Sequence, residues 1–441
     1  MNDVHLSRAS TSRQRKSSRK QQANEIRSNF VATFGQVNFD AKQMKALDGH
    51  RKSEVNRLAV VLKQLNEDKL LCSAKCKDGT GKCEAEQVHL TLVEWGIAQN
   101  IIASGFDTTY SNTGELKVAV TLLKKVLNKQ LLWMACRHHV LERVLEAAYT
   151  SFFGKSAGPE PLLNKLSDMW DTLDVNDISP PSIPAPYCHE VDDMLKFIDN
   201  RLNHAELHIG DYKEYLELAK LYLGGTVERK KRQYTLKRPE GDHHARWMSK
   251  AIYIIKILLL LHQLLNINHN IKKTIPKMAL FVVFVYLKPW FNSRLIPSAA
   301  SNDLNLYKAL AVFSGVDKKA SEACCKKFSL HSWYLSEENI AFSIFDEGLP
   351  TSTRSELAEA IFQHSVYREP LKIMKPKLPV FDETSQLLQF VGPRSRLLFD
   401  ILELPIDFLA EGKWYLTSYY KAANDALKTL SATNDSAERA L

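Results

Sequence analysis

The chain has 441 residues, 45% hydrophobic and 25% charged, with a formal charge of +9 at pH 7. That composition excludes a fibrous or low-complexity chain and suffices for two packed cores, or for one core with a large insertion. The basic balance favours a polyanionic partner. Seven sparse, unevenly spaced cysteines make no disulfide framework and point to a reducing compartment.

Residues 1–30 are rich in Ser, Arg, Lys and Gln, and include the run Arg13-Gln14-Arg15-Lys16-Ser17-Ser18-Arg19-Lys20. Such a segment has little to bury and is expected to be a disordered basic tail, serving as a nuclear-import signal, a phosphate-binding arm or neither. No apolar run of a secretory leader opens the chain. From 31 to 155 the pattern is α/β. Val31–Phe39, Arg57–Leu62 and Lys69–Ala74 read as strands, the last ended by the turn at Lys77–Gly81. Glu84–Gln99 has helical spacing, Ile101–Phe106 reads as a buried strand, Thr113–Leu127 as a helix, Leu131–Ala135 as a strand and Arg137–Phe153 as a helix. Three consecutive strands followed by βαβ units imply a mixed sheet, antiparallel first and parallel later, with helices on its faces.

A proline-rich linker, Ser179–Pro186, marks a change of character. Residues 156–330 carry helical periodicity with a basic connector at Arg229–Arg238 and are expected to form an all-helical insertion. Two stretches within it are strongly apolar. Ala251–Leu265 is interrupted by Lys256, His262 and Gln263, and Met278–Leu287 is shorter than the roughly 20 residues of a spanning helix. Both read as buried helices, and no membrane partner is expected. Residues 331–441 are expected to return to the core with a final helix and a C-terminal helical region.

Asp40 and Asp107 each sit at the C-terminal end of a predicted strand, Val37-Asn38-Phe39-Asp40 and Ile102-Ala103-Ser104-Gly105-Phe106-Asp107. In open α/β sheets ligands bind beyond the strand ends. If the first and fourth strands are neighbours, both carboxylates face one crevice, where their mutual repulsion is relieved by cations. Oxygen donors of this kind suit Mg²⁺ or Mn²⁺, and two such ions about 3.5–4 Å apart support an in-line displacement at phosphorus.

The run Asp107-Thr108-Thr109-Tyr110-Ser111-Asn112-Thr113-Gly114, followed by Leu131–Ala135 and Cys136-Arg137-His138-His139, resembles hobo/Activator-type (hAT-like) DNA transposases. Val37-Asn38-Phe39-Asp40-Ala41-Lys42 is similar to the strand that carries the first acid in transposon-derived relatives. The resemblance covers roughly 31–400. It implies a ribonuclease-H-like five-stranded mixed sheet split by a large all-α insertion, and a nuclear protein that acts on DNA with Mg²⁺ (or Mn²⁺). It further implies Asp40, Asp107 and a third acid on a helix after the insertion, Glu338 first and Glu337 second, as catalytic metal ligands. Cys136 and His139 fit the family's Cys-x-x-His motif, here in a structural role, and dimerisation or higher assembly through the helical region is implied as well. The family usually carries an N-terminal zinc-dependent DNA-binding module, and the residues before Asp40 hold no Cys/His set. Ala41 adds nothing polar beside Asp40. The alternative expectation is a domesticated or decayed relative that binds DNA or protein without cutting.

Three weaker signals remain. Cys72, Cys76 and Cys83 with His89 have the residue types of a zinc site, but partly buried strand and loop cysteines are the simpler reading. Arg246 and Lys250, one turn apart beyond a cap at Asp242, could contact phosphate, and Trp247 could stack on an unpaired base, against the plainer reading of a core tryptophan beside surface cations. Arg394-Ser395-Arg396 reads as a solvated loop that could touch DNA.

Overall fold

The apolar runs before residue 136 form five strands: β1 (Gly35–Lys45), β2 (Glu54–Lys63), β3 (Asp68–Cys76), β4 (Ile101–Phe106) and β5 (Leu132–Ala135). The computed structural model describes residues 7–31, 34–45, 54–64, 68–108, 119–155, 166–203, 210–229, 232–233, 235–239, 247–264, 267–365, 380 and 382–440. The chain divides into two units: an α/β unit of Met1–Cys136, Ala358–Pro376 and Gly392–Leu441, and a helical unit of Arg137–Leu357 and Lys377–Val391. The helical unit therefore interrupts the α/β unit in sequence.

The sheet order is β3-β2-β1-β4-β5. β1 pairs antiparallel with β2, and β2 with β3; β1 pairs parallel with β4, and β4 with β5. This is the mixed sheet the pattern implies. β4 and β5 are buried at every position, as strands covered on both faces must be. Helix α2 (Gly81–Glu94) starts where the Thr80 hydroxyl accepts the Cys83 N–H, and it buries Ala85, Val88 and Leu92. Helix α3 is described from Ala119 to Leu127; its expected start at Thr113, like the stretch Thr109–Gly114, lies outside the described residues.

Two expectations are corrected here. β1 does not stop near Phe39 but runs on to Lys45, because β2 pairs with it all the way from Gln36↔Lys63 to Lys45↔Glu54. The N-terminal segment expected to be disordered contains helix α1 (Arg8–Ser28), capped by the Ser7 side chain accepting from the Ser10 N–H. Arg, Lys, Gln and Ala are good helix formers, and propensity summed over this length outweighs the lack of apolar burial.

A polar seam ties the C-terminus to β1. Gln36 and Asn38 are fully buried on one face of that strand. The Gln36 amide donates to the Ser431 carbonyl (3.0 Å) and accepts the Ser431 N–H (2.8 Å). The Asn38 amide donates to the Ser436 hydroxyl (3.3 Å), and the Asn434 amide donates to the Phe39 carbonyl (2.9 Å). The Gln36 and Asn38 amides are thus paired, as low-dielectric surroundings require, while the Asn434 amide oxygen is buried without a partner. Gly105 faces these amides, and a Cβ there would collide with the side chains of Asn38 and Gln36.

In the helical unit the main helices are α4 (Arg137–Phe153), α5 (Val191–Asn203), α6 (Gly210–Tyr222), α7 (Met248–Leu259), α8 (His269–Leu280), α9 (Ala299–Phe313) and α10 (Lys318–Ser329). They close on one apolar core to which α7 contributes almost its whole length. The stretch His269–Phe291 is apolar and long enough to cross a membrane by length and composition, but 67% of its apolar window is buried inside the protein. It contains a π-helical turn, Phe281–Tyr286, at which the Tyr215 hydroxyl donates to the Val282 carbonyl (2.6 Å). After residue 330 the chain does not continue as α-helix: Trp333–Leu335 and Ile340–Phe345 are tight 3-10 turns and α-helix begins only at Thr351. Ser336 and Asn339 side chains both donate to the Trp333 carbonyl, which closes the chain locally in place of a continuing helix.

Candidate functional site: an acidic cluster at the parallel strand edge

β1 and β4 are adjacent, and their last pair is Asn38↔Gly105. Asp40 and Asp107 each lie two residues past that rung, Asp40 still within β1 and Asp107 just beyond the end of β4, and the charges of both act on Glu84. What ends at this rung is the β1–β4 pairing, not β1, since Asp40 still pairs with Ala59 of β2. Asp107 is 9% exposed and Asp40 is half-buried.

Sequence reading missed a third member. Glu84 sits in the first turn of α2 and is only 4% exposed, with its Oε2 buried and without a hydrogen bond. A helix N-terminus ordinarily favours the ionised carboxylate. Here burial overrides it and, with the charges of Asp107 and then Asp40, pushes the Glu84 carboxyl up to about 7. The same two acids that the strand ends carry therefore act directly on Glu84. A capped helix start packed against a strand-end acid is the only sequence signal for this residue, and it is weak.

The short helix Asp435–Glu438 packs on β1 and β2. Because Ser431 meets Gln36 and Asn434 meets Phe39, this segment climbs β1 toward Asp40, and Glu438 lies one turn past the residue that meets Phe39. The signal in sequence is indirect: two amides amid the apolar residues of β1 demand a polar partner. Cys136 belongs to the same seam. Fully buried, its sulfur accepts the Asn434 N–H (3.2 Å), and its own N–H donates to the Phe106 carbonyl (2.8 Å).

The other expected residues have different settings. Glu338 and Glu337 belong to the helical unit and occupy a turn between the two 3-10 segments, not a helix. His139 is half-buried on α4. Lys250, expected as a surface cation beside phosphate, is 9% exposed, with its ammonium 4.4 Å from the centre of the Tyr149 ring and 4.2 Å from that of Trp247. A cation desolvated between two ring faces is held by their quadrupoles, and Trp247, half-buried against the same core, is engaged in packing. Arg246 lies outside the described residues. Arg396 donates to the carbonyls of Phe362 and His364, the end of helix α11 (Thr351–Gln363). Of the cysteines, Cys72 shares a hydrogen bond with Thr91, and burial, aided by Cys83, pushes the Cys76 thiol up to about 12. That keeps it a protonated thiol.

The donors here are carboxylate oxygens, one of them, on Glu84, buried and without a hydrogen bond, and oxygen donors are what a hard divalent cation takes. Among the described residues no three His, Cys, Asp or Glu side chains stand close enough to enclose a metal ion as they are. The acids form a charge cluster that a cation would have to draw together. Comparison with protein-family models and with curated proteins returns no match.

Proposed function

We propose that this chain is a nuclear, transposon-derived protein with a ribonuclease-H-like core that cleaves and joins DNA phosphodiesters with Mg²⁺ or Mn²⁺. The observation that carries the reading is the parallel adjacency of β1 and β4, whose last pair, Asn38↔Gly105, lies two residues before Asp40 and two before Asp107. Both acids would ligate the cation, whose contribution is to neutralise charge on the phosphate and to activate the attacking oxygen. The third ligand that the resemblance assigns to Glu338 has two competitors within the α/β unit, Glu84 and Glu438. Assembly through the helical unit would give a homodimer or higher oligomer.

The test is nicking of supercoiled DNA in Mg²⁺ or Mn²⁺ by the wild type and by Asp107→Ala, Glu84→Ala, Glu438→Ala and Glu338→Ala. Metal-dependent nicking lost in Asp107→Ala supports the reading, and whichever glutamate variant is equally dead names the third ligand. A second reading, DNA binding without cleavage, is favoured by the exposed basic helix α1, which needs no acid to hold phosphate. Salt-sensitive binding with no nicking under any divalent ion would establish it instead.

A further inference from the structure

Helix α1 has a pattern that catalysis leaves unused. At 3.6 residues per turn, six of its cations fall within about 160° of the circumference, Arg15 and Arg19 along one edge and Arg13, Lys16, Lys20 and Arg27 along the other. The opposite half carries only Ser, Thr, Gln, Asn and one acid, Glu25, which accepts from the Gln21 amide (2.9 Å). No apolar face exists, so the helix has nothing to insert into a lipid surface and nothing to dock on a hydrophobic groove.

One end is fastened. Arg27 pairs with Glu94 (3.4 Å) and lies over the Trp95 ring, and Phe30 meets the same ring edge-on at 5.3 Å between centroids. Toward the N-terminus the cations are free. Arg13, Arg15, Lys16, Arg19 and Lys20 are exposed, and none hydrogen-bonds or pairs with an acid among the described residues. Five like charges on two adjoining edges repel one another, and a solvated helix gains nothing from segregating them. Their segregation is suited to a polyanion.

We propose that α1 is a duplex-DNA arm, its cationic half lying along phosphates and its Ser/Gln half turned to groove edges. Shape selects duplex DNA over duplex RNA. An α-helix about 10–12 Å across matches the B-form major groove, about 12 Å wide, whereas the A-form groove is too narrow to admit it. The inference deepens the DNA reading above but does not depend on its metal chemistry.

Fluorescence anisotropy with the full chain, in EDTA and across ~50–300 mM salt, uses a random duplex DNA of about 20 base pairs and the same sequence as duplex RNA. Arg13→Gln, Lys16→Gln and Lys20→Gln are combined in one variant, whose helix content is checked by circular dichroism. The wild type binds DNA in preference to RNA, and the variant binds at least about tenfold more weakly at low salt. Its log–log salt slope is shallower by about 3, near 0.9 for each phosphate no longer neutralised. Unchanged affinity and slope in the folded variant, or RNA bound as tightly as DNA, overturns the proposal. Binding is read in EDTA, where no cation-dependent cleavage can occur, so failure of the catalytic reading and failure of this one are told apart.

Discussion

Both units bury charge, and they treat it in opposite ways. In the helical unit every deeply buried charge described above has its counterpart. Arg137 and Asp303 pair at 2.6 Å with side chains only 2% and 4% exposed, and Lys256 meets Glu214 at 2.8 Å. Lys250 lies between two aromatic rings. In the α/β unit the charges of Asp107 and Asp40 raise the Glu84 carboxyl, and its buried Oε2 has no hydrogen bond. Compensated burial is what a stable core needs, because breaking such a pair strands a charge in low dielectric. A buried carboxylate oxygen without a hydrogen bond, as in Glu84, costs stability, and a fold retains it where a ligand relieves it. The contrast separates scaffold from site using the same residue types.

The comparison can be broken most severely at the scaffold. Arg137→Met leaves Asp303 buried alone, and denaturant unfolding should register a loss of about 3–5 kcal/mol. The next effect is at the site. The Glu84 carboxyl ionises near 4.5 in the unfolded chain and near 7 in the fold, so the folded state holds the extra proton between those values. Stability is full below about pH 4.5 and falls by about 3 kcal/mol as pH rises to 7. Melting curves across that interval should show this fall in the wild type and not in Glu84→Gln. A sharper probe of the polar seam is Gly105→Ala, whose methyl displaces the Asn38 and Gln36 amides and should cost about 1–3 kcal/mol. Lys250→Met should cost about 1–2 kcal/mol in melting and leave DNA affinity unchanged, because that cation serves the core. Least of all, Glu94→Ala removes a pair exposed at both ends (33% and 62%) and should shift stability by at most about 1 kcal/mol.

Much of the α/β unit was legible because its strands are either continuous apolar runs or simple alternations, and both patterns survive folding. The acid pair was legible in part: the neighbouring strands on which the reading was conditional are found, but Asp40 lies within β1, which runs on to Lys45, and not at its end. Glu84 was not, since a glutamate in a first helical turn ordinarily faces water, and only the docking of α2 turns this one inward. Nor was the seam, because nothing local in Ser431–Ser436 marks it as the partner that the buried Gln36 and Asn38 need. Lys250 misled through its one-turn spacing from Arg246, which says nothing about the rings that enclose it. In α1, the scarcity of apolar residues pointed to disorder, whereas helix propensity and a serine cap decide the backbone.

The claim at the centre is that Asp40, Asp107 and Glu84 make one electrostatic unit which a divalent cation closes. Titration of Mn²⁺ into the full chain at about pH 7.5, followed by the fall in the free-ion electron paramagnetic resonance signal, tests it without any reaction. The account expects saturable binding by the wild type and at least about tenfold weaker binding by Asp107→Asn and by Glu84→Gln. Equal binding by all three proteins, or none by the wild type, would contradict it.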